Sequence, residues 1–262
     1  MKKKFILLFI ALIVIGSSSL VLKKIYTHEK WQSTQIHNLI GQVSELSERL
    51  KRQTDYYLYD IKWGDSFNYL AIGNSLTLIE GNWGRGICSS LPDNDYFGLV
   101  KKYLIEKFSA DTTANRLNYF IWETAQNREK VLDLLDVYLS NKLSLVTIQL
   151  GENASDISSY KEDLKNLVKY IKDKAPKAKI IIIDDFWDKE KSRIRKEVAE
   201  DLKLDFADLS EIRGNKDYQS REGLIAKGIH GENITVSKEA ETHPDDKGFK
   251  YIAEKIIDIL NK

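Results

Sequence analysis

From about residue 66 onward the apolar positions follow two alternating rhythms. Short, nearly unbroken apolar runs, "NYLAIG" (68–73), "LSLVTIQL" (143–150), "AKIIIIDDF" (178–186) and "LDFADLS" (204–210), read as strands, and "LNYFIW" (117–122) reads as a further one. Between them lie amphipathic stretches at 93–108, with Tyr96, Phe97, Leu99, Val100 and Leu104 on one side, and at 127–140, 158–175, 189–203 and 244–260. The runs at 143–150 and 178–183 lack the polar alternation of a half-exposed strand, so they belong in a sheet covered on both faces. Strand–helix alternation with short connections predicts an α/β fold, a parallel sheet with helices on both sides. In such sheets ligands meet the loops at the carboxyl ends of the strands, which would gather Ser75, Asn153 and the residues after 186 at one edge.

The N-terminal pattern differs. After Met1 and three lysines, an uncharged, mostly apolar run extends from Phe5 to Leu22 and is followed by Lys23 and Lys24. Eighteen residues at ~1.5 Å rise reach about 27 Å, close to the hydrocarbon thickness of a bilayer. The leading lysines place the N-terminus in the cytoplasm and the remainder outside. The run reads as an uncleaved anchor; a cleaved signal segment, although "SSSL" supplies no A-x-A site, and a buried soluble helix are the alternatives. Next comes a polar helix over 27–53 whose apolar seam, Ile36, Leu39, Val43, Leu46 and Leu50, keeps a heptad spacing. Self-association through residues 36–50 and packing as a surface helix are both open. The expected division is 1–26 as transmembrane anchor or signal segment, 27–62 as helical stalk and 63–262 as the folded domain.

Composition narrows the classes. With 40 Lys+Arg against 39 Asp+Glu the net charge is +1, so no basic surplus points to nucleic acid. A single cysteine, Cys88, excludes an intrachain disulfide framework and Cys-rich zinc clusters. His28, His37, His230 and His243 show no metal-ligand spacing, and neither metal nor cofactor is expected.

Three loops carry candidate chemistry. "GNS" (73–75) ends the first strand, "GEN" (151–153) ends a central one, and "HPDDKGF" (243–249) leads into the last helix, where Pro244 and Asp245 are good helix-start residues. Each alone is an ordinary turn or cap signal. Together, and in this chain order, they resemble the SGNH, or GDSL-type, hydrolases over about residues 66–260. The resemblance implies a three-layer α/β/α, flavodoxin-like fold. It also implies Ser75 as nucleophile in "GNSLT", with Asn74 where many members carry Asp. Within "WGRGICSS" (83–90) Gly86 would be the backbone oxyanion donor, with Gly84 as the alternative two residues earlier. Asn153 would donate its side-chain amide, and His243 would be the base. Two positions depart from the pattern: Ala154 follows Asn153, and Ala240 stands three residues before His243, where the family usually has Asp. Glu241, ahead of Glu239, is the substitute carboxylate expected to orient His243; a Ser–His dyad is the alternative.

A histidine with an ordinary pKa near 6.5 can remove the serine proton near neutral pH, and attack on an ester carbonyl then builds an oxyanion that Ser75 N–H, Gly86 N–H and Asn153 would stabilise. Trp83, Arg85 and Asn74 are the candidate substrate contacts. Trp83 could stack on a sugar, with a core role equally open, and for Arg85 a surface charge is equally open. Cys88 reads as a buried small hydrophobe, His230 as an exposed loop residue, and the long segment 213–241 as a lid or binding loop. The acidic residues of "DDFWD" (184–188) would contact ligand or start the next helix. The expected protein is a membrane-anchored, extracytoplasmic serine esterase removing O-acyl groups, acetyl foremost, from an envelope polysaccharide or a small molecule. An acyltransferase and a degenerate glycan- or partner-binding module are the alternatives.

Overall fold

A parallel sheet of five strands organises the chain. Its strands are β1 (Asn68–Gly73), β2 (Thr113–Asn118), β3 (Leu145–Gln149), β4 (Lys179–Ile183) and β5 (Asp205–Ala207), in the order β2-β1-β3-β4-β5. The computed structural model describes residues 61, 63–79 and 81–262. The expected membrane span at 5–22, the helix at 27–53 and its heptad seam lie outside the described residues. Among the described residues, no helix is long and apolar enough to cross a membrane.

β1, β3 and most of β4 are buried along their whole length, which accounts for their unbroken apolar runs. Side chains alternate between the faces of the sheet. Tyr69, Ala71, Leu145, Ile181 and Ile183 share one core with α1 (Tyr96–Lys107) and the last helix, α5 (Asp246–Leu260). The alternate residues Leu70, Ile72, Val146, Ile148, Ile180 and Ile182 are also buried and point the other way. On that second face α3 (Ile157–Lys174) packs against α4 (Lys189–Asp201) and against a 3₁₀ helix, Arg128–Tyr138. The expected three-layer α/β/α arrangement is therefore present. Tyr160, Leu164, Leu167, Val168 and Ile171 form the buried stripe of α3 at helical spacing. Aspartates start the long helices: Asp95, Asp156, Asp188 and Asp245 each accept a backbone N–H from the first turn.

Two elements differ from the sequence reading. The strand expected at 117–122 ends at Asn118, whose side-chain oxygen accepts the N–H of Phe120 and starts a short helix, α2 (Phe120–Thr124). The true edge strand begins earlier, at Thr113. The segment 213–241, expected as a lid or binding loop, carries elements of its own: a 3₁₀ turn (Lys216–Tyr218), an antiparallel hairpin of β6 (Ile225–Lys227) and β7 (Asn233–Thr235), and a second 3₁₀ turn (Lys238–Ala240). The hairpin is tied to the loop after β1, since Lys227 N–H donates to Ser90 O at 2.8 Å and Ile229 N–H to Asn82 O at 3.0 Å.

Strand order reverses between β1 and β3, because β2 lies on one side of β1 and β3 on the other. Such a switch point leaves a crevice above the carboxyl ends of the two strands. Ser75 follows β1 and Asn153 follows β3, so the topology alone sets them on this crevice.

Candidate active site

The loop leaving β1 is held from three directions. Thr77 and Leu78 N–H both donate to Asn74 O at 2.8 Å, which turns the chain sharply at Ser75. Ile87 N–H donates to Ser75 O at 2.8 Å, joining the loop to segment 83–90. Asn74 is buried, and its amide donates to Glu123 Oε2 at 2.6 Å and Glu152 Oε2 at 3.2 Å.

His243 comes from the turn ahead of α5, anchored by Ser220 N–H donating to His243 O at 2.8 Å. Its Nε2 lies 3.1 Å from Ser75 Oγ and its Nδ1 lies 3.1 Å from Ala240 O. A carbonyl can only accept, so Nδ1 carries the proton and Nε2 presents its lone pair to the serine hydroxyl. Asn74 Oδ1, at 3.3 Å from Ser75 Oγ, is a second and more distant acceptor for the same proton. Hydroxyl, imidazole and carbonyl thus form a dyad with a main-chain orienting group. Burial holds His243 below the ordinary histidine value, and the Ala240 carbonyl only partly offsets it. The burying group includes Trp187, whose ring meets the imidazole edge-on with centroids 5.2 Å apart and whose Nε1–H donates to Thr242 O at 3.0 Å.

Glu241 does not take the orienting position. Among the described residues no carboxylate is hydrogen-bonded to His243. Nδ1 faces the Ala240 carbonyl instead, and the Glu239 carboxylate is fully exposed and paired with the Ser237 hydroxyl. Gly86 is also placed differently from expectation. Its N–H donates to Asp95 Oδ2 at 2.8 Å and is buried, so it is not free for an oxyanion. A side chain there would strike Leu76 O at 2.4 Å, so this glycine serves the close packing under the Ser75 turn. Gly84, the alternative, has φ +55° and lies under Ile229.

Asn153 is exposed at the rim, yet its Nδ2 donates to the buried carboxylate of Glu123 at 2.8 Å. An amide nitrogen carries two hydrogens, so one N–H remains for a ligand. The N–H of Ser75 has no protein partner among the described residues. Gly151, at φ +118°, could not be another residue: an added Cβ would lie 2.1 Å from Tyr160 Oη.

The proposed substrate contacts are reassigned in part. Arg85 is 1% exposed and donates to Ser89 Oγ, Ser89 O, Trp83 O and Lys227 O; it pins the 83–90 loop to the hairpin and cannot reach a substrate. Asn74 is enclosed as described and orients the serine rather than touching ligand. Trp83 is half-buried against a small cluster of Cys88, Val236 and Ala240, with the Arg85 guanidinium 5.3 Å from its ring. It therefore braces the segment that carries the orienting carbonyl. Cys88 is buried, as expected, with its thiol pushed up to about 11 by burial; Sγ–H donates to Ala240 O at 3.3 Å, sharing the acceptor of His243. His230 is exposed. Asp184 and Asp185 are buried among backbone N–H groups and arginines, and Asp188 caps α4, so none of the three faces ligand.

Sequence reasoning missed Glu123, Glu152, Arg195 and Trp187. Arg195 is fully buried; it donates to Glu152 Oε1 at 2.7 Å and Ile183 O at 3.0 Å, and its Nη2 is 3.2 Å from Asp185 Oδ2. The available signals were slight: an arginine on the apolar side of a helix, and a glutamate ending an aromatic stretch.

No protein-family model matches the chain, and no curated protein matches it. Among solved structures it is similar to a GDSL-like lipase from Parabacteroides merdae, at 15% identity and TM-score 0.50, over 77% of this chain and 98% of that one. It is similar to a salicylyl-acyltransferase from a tetracycline biosynthetic pathway, at 14% identity and TM-score 0.50, over 75% of this chain and 56% of that one. It is also similar to a two-domain esterase active on acetylated mannans, at 17% identity and TM-score 0.50, over 81% and 52%. The chain thus spans only about half the length of these last two proteins. At such identities the likeness is one of fold, and the fold is that of SGNH/GDSL-type hydrolases.

Proposed function

We propose that the protein is a serine hydrolase of SGNH type acting on O-acyl esters, with Ser75 as nucleophile and His243 as base. The observation that carries this reading is the 3.1 Å approach of His243 Nε2 to Ser75 Oγ in the tautomer a base requires. Ser75 attacks the ester carbonyl while its proton passes to Nε2. The developing oxyanion is met by Ser75 N–H and the remaining Asn153 N–H, and the imidazolium returns its proton to the leaving alkoxide. Water, activated by the same histidine, then releases the acid from the acyl-enzyme. The Ala240 carbonyl holds the ring in register throughout, without the full charge a carboxylate would add.

The substrate we propose is an O-acetylated envelope polysaccharide, and the location the outer side of a membrane, held by the segment 5–22. The first is supported by the fold shared with an esterase active on acetylated mannans, the second by the hydropathy and lysine pattern of the N-terminus. Transfer to a sugar acceptor is the second reading, favoured by the fold shared with an acyltransferase, since the two reactions differ only in what attacks the acyl-enzyme.

A fluorophosphonate probe tests the chemistry, because only an activated serine reacts with it. Labelling of the full-length chain should be abolished in Ser75→Ala and in His243→Ala. Hydrolysis of p-nitrophenyl acetate should fall by about 10³-fold or more in both. Full activity of Ser75→Ala would end the reading. Acetate release, set against acetyl appearance on added oligosaccharide, separates hydrolysis from transfer.

A further inference from the structure

The two asparagines beside the dyad must face opposite ways. For Asn74 the oxygen is turned to Ser75 Oγ, at 3.3 Å. For Asn153 a nitrogen must be available at the rim if it is to meet an oxyanion. A primary amide is almost symmetric in shape, so packing alone does not choose between its ends; hydrogen-bond partners do. An exposed Asn153 turned the wrong way would present a lone pair to the developing negative charge.

The structure supplies one group that resolves both choices. Glu123, on α2 after the edge strand, is 1% exposed, and its carboxylate can only accept from the N–H groups around it. Oε2 accepts from Asn74 Nδ2 at 2.6 Å and from Asn153 Nδ2 at 2.8 Å, and Oε1 accepts the N–H of Gly151. Asn74 Nδ2 is drawn further to Glu152 Oε2, so both its hydrogens are committed and Oδ1 is left for the serine. Arg128 Nη2 donates to Glu123 O, which fastens the end of α2. One side chain thereby ties the loop after β1 to the loop after β3.

We propose that Glu123 is the positioning residue of this site, setting the polarity of both amides so that Asn153 offers a donor to the oxyanion and Asn74 an acceptor to Ser75. The proposal rests on the serine-hydrolase reading. Glu123 touches neither substrate nor reacting atoms, and its effect passes through the two asparagines. Glutamine in its place keeps the shape but sets N–H groups against N–H groups, so one or both amides must turn over or lose a partner.

The experiment is a double-mutant cycle in the full-length chain with wild type, Glu123→Gln, Asn153→Ala and the double variant. Each is read by the rate of Ser75 labelling with a fluorophosphonate, by kcat and KM on p-nitrophenyl acetate, and by the thermal midpoint. Asn153→Ala should lower kcat by about 10²–10³-fold. Glu123→Gln should lower kcat and the labelling rate by about 10-fold or more, with KM within about twofold. In the Asn153→Ala background the same change should cost at least about threefold less than in the wild type, because one of the two amides it orients is gone and only the part that acts through Asn74 remains. Equal losses in both backgrounds, or a lowered melting point with unchanged kcat, would show a structural role and overturn the proposal. Should Glu123→Gln not fold, Glu123→Asp, one methylene short of Asn153, replaces it in the same cycle. A wild-type chain that fails to label overturns the hydrolase reading and the proposal with it, whereas labelling with additive effects overturns only the role of Glu123.

Discussion

Ser75 and His243 stand 3.1 Å apart but are held by different chemistry. Behind the serine, the supports are charged side chains largely withdrawn from water: Glu123 under the two asparagines, and Glu152 and Asp185 around Arg195. Behind the histidine, the supports are main-chain carbonyls and rings: Ala240 O on Nδ1, Thr242 O held by Trp187 Nε1–H, and the Trp83–Cys88–Val236 cluster beneath. The contrast follows from position. The serine loops sit above the centre of the sheet, where a polar group must find a partner or forfeit its hydration. The histidine turn lies between α5 and the hairpin segment, where backbone groups and apolar surface suffice. One half should therefore be sensitive to single side-chain changes and the other tolerant of them.

The largest test falls on the charged half. Arg195→Met leaves Glu152 and Asp185 buried without their cation, a change expected to cost about 3–5 kcal/mol. The thermal midpoint should drop by roughly 10 °C for a domain of this size. An unchanged melting curve would show that the network is not under the strain its burial implies.

Trp187→Phe probes the aromatic half. It keeps a ring against His243 but loses the Nε1–H donated to Thr242 O, worth about 1 kcal/mol, so kcat/KM should fall about fivefold. The pH profile sharpens the result. Burial disfavours the imidazolium, so the neutral base survives below pH 6.5 and the acid limb of wild-type kcat/KM should lie below that value. In Trp187→Phe, with water admitted, the limb should move up toward about 6.5. A limb that stays in place would mean that other groups do the burying.

The smallest effect is expected from Glu239→Ala and Glu241→Ala, each leaving kcat within about twofold, since neither carboxylate is hydrogen-bonded to the imidazole. A loss of tenfold or more in either would restore a carboxylate to the triad and dissolve the contrast between the halves.

Much of this architecture is legible in the chain, for reasons that differ by element. β1, β3 and β4 announce themselves because burial on both faces demands unbroken apolar runs. β2 does not: "TANRLN" is an edge strand, polar and mostly half-buried, so its expected position slid into the aromatic stretch that follows. The amphipathic stretch at 127–140 is wound as a 3₁₀ helix over Arg128–Tyr138, a distinction apolar spacing does not encode. At the site, Ser75, Asn153 and His243 were readable from their blocks. Their supports were not, because Glu123 lies far from both asparagines along the chain, and because the partner of His243 is a carbonyl, which every residue possesses. Arg85 and Gly86 misled for a related reason. Their partners, Lys227 O and Asp95, are set by the hairpin and by the start of α1, which no local motif reveals.

The carbonyl at residue 240 has an evolutionary corollary. No codon change deletes a peptide oxygen, so the group that meets His243 Nδ1 is shielded from ordinary point mutation. Drift at positions 239–241 can exchange side chains freely so long as the turn keeps its shape and the buried methyl of Ala240 still fits against Cys88 and Val236. On the reading proposed above, the group that orients the base is therefore one that a side-chain substitution at residue 240 leaves in place.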